Sequence, residues 1–268
     1  MGRLNNSTKV ILIILYLTII IVSISVCIIP INGNTIWQLA DLYPSLIRPA
    51  NYTYSIMIPI ELLLLGFTLF QLGLFDKGKI NNKMELFSGV RILYIVSSIS
   101  YIAWIFALLN DYTALSLMLI IVVLISMISI NKITNVEAVT FREKLFIKLP
   151  FSIYFGWITY ATFINVSSFL ESIGWQAFGI PEMVWTSIVI ILSVFISLAV
   201  ILKYKNIAFG LTIIWSYIGL VVKHISKGGY NGQYPAILVT LTVSIILLLA
   251  VVGYIILIHR RNNSIKTI

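Results

Sequence analysis

The chain has 268 residues, 60% hydrophobic and only 10% charged, with a mean hydropathy of +1.03. Soluble domains carry about 45–50% apolar residues, so this composition excludes a soluble domain and points to an integral membrane protein. The net charge of +9 is read as membrane orientation rather than nucleic-acid binding, because Lys and Arg collect in cytoplasmic loops.

Crossing about 30 Å of hydrocarbon takes about 20 apolar residues as helix, and the short alternating strands of a membrane barrel are missing. The expected fold is all-α, a polytopic transmembrane helix bundle. Spans are predicted at Val10–Ile29, Tyr52–Phe75, Ile92–Leu109, Thr113–Ile130, Leu149–Leu170, Met183–Leu202, Ile207–Val222 and Pro235–Ile258, eight in all. The first follows Arg3 and Lys9 as a signal peptide would, but it is longer than a 7–15-residue signal core and has no small-x-small cleavage pattern, so it is expected to stay. Cys27, the single cysteine, excludes an internal disulfide and is read as an inert thiol. The loop Pro30–Asn51, with Trp37, Tyr43, Pro44 and Pro49, is aromatic enough to fold back as a lid or to rest on lipid headgroups. The seventh span is the shortest, broken by Gly210, Gly219 and Lys223, and a tilted or re-entrant course is an alternative there.

Placing both termini in the cytoplasm puts 15 of the 18 basic residues on the inner side and leaves Arg48, Lys223 and Lys227 outside. A seven- or nine-span arrangement would destroy this partition. No repeat, metal-ligand spacing or Ser–His arrangement is visible. His224 and His259 sit at span ends and read as interfacial anchors. The sequons lie in tails or in the membrane, and no glycosylation is assigned.

Two features stand out inside the spans. The segment Leu149–Asn165, LPFSIYFGWITYATFIN, carries Tyr, Trp, Thr and Asn where lipid-facing residues are expected, and Pro150, Tyr154, Trp157, Ala161, Asn165 and Ser168 share about one quarter of the helix circumference. Glu61 is the acidic residue deep inside a span, where an ionised side chain costs several kcal/mol unless paired, hydrated or protonated. Pro59 nearby removes a backbone donor and favours a kink. At 1.5 Å rise per residue, Glu61 lies about 14 Å below the outer boundary, between Asn165 at about 8 Å and Trp157 at about 20 Å. If the second and fifth helices are neighbours, Glu61, Tyr154, Trp157 and Asn165 line one cavity, with Tyr54, Met57 and Leu65 as its apolar wall. Against this stands helix-to-helix packing, in which Trp and Asn simply fill an interface.

With these residues in hand, IYFGWITYATFIN resembles the fifth-helix motif of the tryptophan-rich sensory protein family, also known as the translocator protein or peripheral benzodiazepine receptor (TspO/MBR) family. The specific part is the spacing of Trp157, Ala161, Thr162 and Asn165. The segment SLIRPANYTYSIMIPIELLLLG is similar to the family's entry into its second helix, through Arg48, Pro49, Tyr52 and Tyr54. Met57 and Glu61 depart from it, standing where the family usually has Trp and Tyr. A looser match runs through Trp104 and Asn110.

The resemblance implies a five-helix ligand-binding core over about residues 1–170, with residues 171–268 adding three helices. It implies a pocket for porphyrins, sterol-like lipids or aromatic drugs, with Pro49, Tyr54, Met57, Glu61, Trp104, Tyr154, Trp157, Ala161 and Asn165 as ligand-binding candidates. The expected function is a receptor or carrier for a hydrophobic planar ligand in the plasma membrane of a low-GC bacterium, with lipid as neighbour and a homodimer as an option. No resident cofactor is expected, and a porphyrin or haem-type molecule is an option for the ligand itself. The alternative is a proton-coupled secondary transporter using Glu61. Enzymatic turnover ranks third, because no catalytic group is identifiable.

Overall fold

The structure, a computed structural model, describes residues 5–29, 45–74, 86–136 and 140–265. Arg3, Lys77, Lys79, Lys83, Lys266 and most of the proposed lid loop lie outside the described residues. Among those described, the regular structure is entirely helical. Eight long helices follow in order: α1 Asn6–Ile28, α2 Met57–Gln71, α3 Leu86–Leu109, α4 Thr113–Val136, α5 Leu149–Ser172, α6 Glu182–Tyr204, α7 Ile207–Ile225 and α8 Pro235–Ile265. Each coincides with one predicted span. Seven are long and apolar enough to cross a membrane, α2 doing so together with the 3₁₀ turn Asn51–Ile56 that leads into it. The helix outside that set is α5, whose polar and aromatic side chains lower its hydropathy. The chain is a multi-pass membrane protein. Its α7 runs unbroken for 19 residues, so the short seventh span is a full helix.

Local chemistry fixes the helix ends. Asn5 caps α1 by accepting from the Ser7 amide at 3.3 Å. Asp111 adopts a left-handed φ of 61° in the three-residue turn that joins α3 to α4. Lys205, at φ 48°, ends α6, and Asn206 at once caps α7 through the Phe209 amide at 3.1 Å. Ahead of α5, Thr140 and Glu143 form a reciprocal capping box. A π turn follows over Lys144–Lys148, with the Leu149 amide bonded to the Lys144 carbonyl. This wider turn sits just before Pro150, whose ring cannot donate and would crowd the carbonyl four residues back in a regular helix. Pro59 falls in the first turn of α2, directly after the 3₁₀ segment, where a missing donor matters least.

The chain forms two compact units. The first draws on Met1–Tyr43 and Ile56–Ile158, the second on Pro44–Ser55 and Thr159–Ile268. In the first, α3 and α4 pair most extensively, α1 packs on α2 and α3, and the π turn packs on α2 and α4. Its centre is an aromatic triad of Phe67, Tyr94 and Phe151, with ring centroids 4.8–5.9 Å apart. In the second, α6, α7 and α8 pack against one another, and Gly210 lets α7 approach Ile201 and Val252.

Candidate functional site

In the first unit, Glu61 lies on the buried face of α2 with Ile60, Leu64, Phe67, Thr68 and Gln71. Its main-chain carbonyl accepts from the Tyr16 hydroxyl of α1 at 3.3 Å. Its side-chain Oε2 is buried and has no hydrogen-bond partner among the described residues. Tyr16, Tyr94 and Tyr154, from α1, α3 and α5, all lie within electrostatic reach of the carboxylate. The Tyr94 hydroxyl is set beside Thr68 and Ser98. Tyr154 meets Tyr101 edge to face at 6.4 Å, and Tyr101 stacks on Trp104 at 5.5 Å. Tyr154 and Trp157 are both buried on one face of α5, while Met57, one turn before Glu61, is half-buried. One acidic group therefore lies within electrostatic reach of three tyrosines, and from one of them, Tyr154, an aromatic run leads through Tyr101 to Trp104. Met57, Glu61, Trp104, Tyr154 and Trp157 all belong to this unit.

Pro49, Tyr54, Ala161 and Asn165 belong to the second unit. Pro49 and Ala161 are buried. Asn165 is buried and donates its amide to the Ala161 carbonyl of its own helix at 2.9 Å. Tyr54 lies against the Arg48 guanidinium, whose Nη2 donates to Ser168 at 3.2 Å.

The residues around this segment were missed by sequence reasoning. The stretch 45–55 is held along its length by α5, α7 and the loop after α7. The Tyr160 hydroxyl donates to the Ile47 carbonyl at 2.8 Å, and the Trp215 indole donates to the Thr53 carbonyl at 3.0 Å. The Ala50 amide donates to the Gly219 carbonyl at 3.0 Å, and Ser45 pairs with Ser167 at 2.6 Å. A Cβ on Gly219 would overlap the Thr53 side chain, so the residue that weakened the span on paper is what lets the segment in. His224 is a correction: it is not an interfacial anchor. The ring is fully buried, with Nε2 2.9 Å from the Leu46 carbonyl and its face against Tyr230 at 4.8 Å. Burial, then the nearby Glu182 carboxylate, push the Tyr230 hydroxyl above its ordinary range, and it reaches the Ser45 carbonyl at 3.4 Å. The available signals were the two glycines of α7 and a histidine followed by two tyrosines.

A cleft in this unit is lined by Ile47, Ser167, Leu170, Trp185 and Thr186, among others, and has about 30 Å³ of usable volume. Ligand pockets for drug-sized molecules measure about 300–1,000 Å³, so this cleft suits water rather than a tetrapyrrole. None of the predicted site residues lines it.

The profile of the family described as TSPO-like protein matches residues 9–255. The chain belongs to the TSPO-like family. The match runs through α6 and α7 and into α8, well beyond the 170 residues that carry the resemblance read from motifs, so the last three helices are included in the TSPO-like pattern. Comparison with curated proteins and with solved structures gives no match.

Proposed function

We propose that this TSPO-like protein is a receptor or carrier that binds a hydrophobic, planar, tetrapyrrole- or lipid-like ligand within its helices, with Glu61 meeting a cationic or hydrogen-donating group. The carrying observation is the Glu61 carboxylate, buried in an apolar span with an oxygen lacking any partner among the described residues. A buried carboxylate in that condition is costly. Intramembrane ionisable groups of this kind mark substrate or proton paths. Tyr154 and Trp157 supply a donor and a stacking face on α5, and Met57 and Trp104 the apolar wall. The ligand-binding role is assigned to residues 1–170, and residues 171–268, which the family match also covers to residue 255, are assigned no part in it. The charge partition supports a plasma-membrane protein with both termini cytoplasmic, and the Ile-, Asn- and Lys-rich composition supports a bacterial cell.

The test is porphyrin titration of the purified protein, read as saturable quenching of tryptophan fluorescence. Glu61→Gln and Trp157→Phe should each raise the Kd about tenfold or more, the loss of roughly one charge-assisted or stacking contact. An unchanged Kd in both variants overturns the site. The same titration on Asn165→Ala and Tyr54→Phe decides whether the candidates of the second unit take part.

The three tyrosines within electrostatic reach of Glu61 favour a second reading, proton-coupled transport, because an intramembrane carboxyl group can exchange a proton along a polar path. This reading predicts pH-gradient-driven uptake into proteoliposomes that Glu61→Gln abolishes.

A further inference from the structure

One wall of the small cleft in the second unit continues into a corner of aromatic rings. Gly174, at φ 67°, ends α5 in a Schellman turn, in which the Trp175 amide donates to the Leu170 carbonyl at 3.0 Å and the Gly174 amide to the Glu171 carbonyl at 2.9 Å. The turn lays Trp175 against Trp185 of α6, with ring centroids 4.7 Å apart and planes at 71°. Trp185 is itself a wall of the cleft. Phe178 adds a third ring, 5.6 Å from Trp175 and 88% exposed.

Two carboxylates stand one turn nearer the loop than the cleft's two hydroxyls. Glu171 follows Ser167 by four positions on α5, and Glu182 precedes Thr186 by four on α6. Both are exposed, and they lie within electrostatic reach of each other. Glu171 also sits in the last turn of α5, the end of a helix that disfavours negative charge. A cation held between the two relieves both repulsions.

The protein's own cations are turned aside. Arg48 lies within reach of Glu171, but its Nη2 donates to Ser168 and its guanidinium packs on Tyr54. Lys223 stands over the Tyr230 ring at 5.9 Å. Residues 30–44, outside the described residues, carry Asp41 and no lysine or arginine, so the sequence leading into Ser45 can only add negative charge.

The cleft selects among cations. Its floor is apolar, with Phe163, Val166 and Val189, and its volume of about 30 Å³ holds a group the size of a water or a methyl. Ser167 is already paired with Ser45 at 2.6 Å. A calcium ion asks for six or more oxygen ligands, which this floor does not supply. A methylated ammonium asks instead for aromatic faces and nearby negative charge.

We propose that Trp175, Trp185, Glu171 and Glu182 form a binding site for a quaternary ammonium group, one of whose methyls enters the cleft. The two indoles face the charge and the two carboxylates balance it. A free choline-like compound and a choline phospholipid headgroup both carry this chemistry. The site shares no residue with the ligand candidates of the Glu61 reading.

The experiment is calorimetric titration of the full chain in neutral maltoside detergent with tetramethylammonium chloride, against a sodium chloride blank. The expected result is saturable heat with a Kd of about 1 mM, modest for so small a ligand. Glu171→Gln combined with Glu182→Gln should raise that Kd about tenfold, as should Trp185→Leu, while Trp185→Phe should keep it within about threefold. Repeating the titration in phosphatidylcholine nanodiscs separates the two sources. A Kd about tenfold higher than in detergent assigns the site to the lipid headgroup, which competes there, and an equal Kd assigns it to a free ammonium compound. Absence of saturable heat above the sodium blank in wild type overturns the proposal, whether or not the variants fold. An unchanged Kd in both the double variant and Trp185→Leu, at wild-type thermal midpoints, overturns it as well.

Discussion

The two units differ in the kind of buried polar group they leave open: Arg48 Nε, Thr53 Oγ1 and His224 Nδ1 in the second, and a carboxylate oxygen of Glu61 in the first, none with a hydrogen-bond partner among the described residues. In the second, four carbonyls of the entering segment 45–55 are met by side chains: Ser45, Leu46, Ile47 and Thr53 each receive a donor or ring nitrogen from Tyr230, His224, Tyr160 or Trp215. In the first, Glu61 lies within electrostatic reach of Tyr16, Tyr94 and Tyr154, and one of its carboxylate oxygens has no hydrogen-bond partner among the described residues. A buried carboxylate left open stores a larger cost than an open hydroxyl or ring nitrogen, and a ligand or proton can relieve it. Gly219 and His224 seat the segment 45–55, whereas the proposed function rests on the Glu61 carboxylate.

The most direct way to break this contrast is Gly219→Val. The added carbons would overlap Thr53 and push away the backbone whose Ala50 amide binds the Gly219 carbonyl. Overpacking of this kind, with a lost hydrogen bond, should cost about 3 kcal/mol, visible as a lower thermal midpoint in detergent. A variant as stable as wild type would mean that the segment has another way to seat. His224→Ala comes next. It removes the Leu46 contact and a ring packed on Tyr230 and Tyr234, and should cost about 2 kcal/mol by the same measurement.

Much of this was legible in the sequence. Hydropathy and the basic-residue partition located all eight helices, including α5, which hydropathy alone passes over. The Trp157, Ala161, Asn165 spacing pointed to the family that the chain's profile match shows. Glu61 was conspicuous because carboxylates are costly in lipid. What could not be read was partnership. Tyr16 and Tyr94 look like ordinary aromatics until three-dimensional packing brings them beside Glu61. His224 lies at a span end, and the return of residues 45–55 against α7 together with the rings of Tyr230 and Tyr234 buries it. Gly219 weakens a span when judged by propensity, while its missing side chain is what the neighbouring Thr53 requires.

Glu61→Gln should run against the trend of the second unit. Replacing a carboxylate that lacks a partner removes a desolvation cost, so stability should hold or rise by about 1 kcal/mol. Ligand affinity or uptake should fall in the same variant. A stability loss comparable to that of His224→Ala would show that Glu61 is a structural carboxyl after all, and the contrast between the units would disappear.

The smallest effect concerns how α5 begins. Thr140 accepts from the Glu143 amide at 3.3 Å while Glu143 returns a carboxylate to the Thr140 amide at 2.6 Å, closing the first turn before the π turn and Pro150. Thr140→Ala removes one half of this box and should cost about 1 kcal/mol. The loss is local, because the Phe67, Tyr94 and Phe151 packing below it is untouched. Amide exchange should therefore quicken about fivefold at residues 141–145, the rate factor that about 1 kcal/mol of local opening implies, and stay unchanged from Phe151 onward. Faster exchange reaching Tyr154 and Trp157 would instead make the cap part of what holds the α5 wall of the Glu61 site in place.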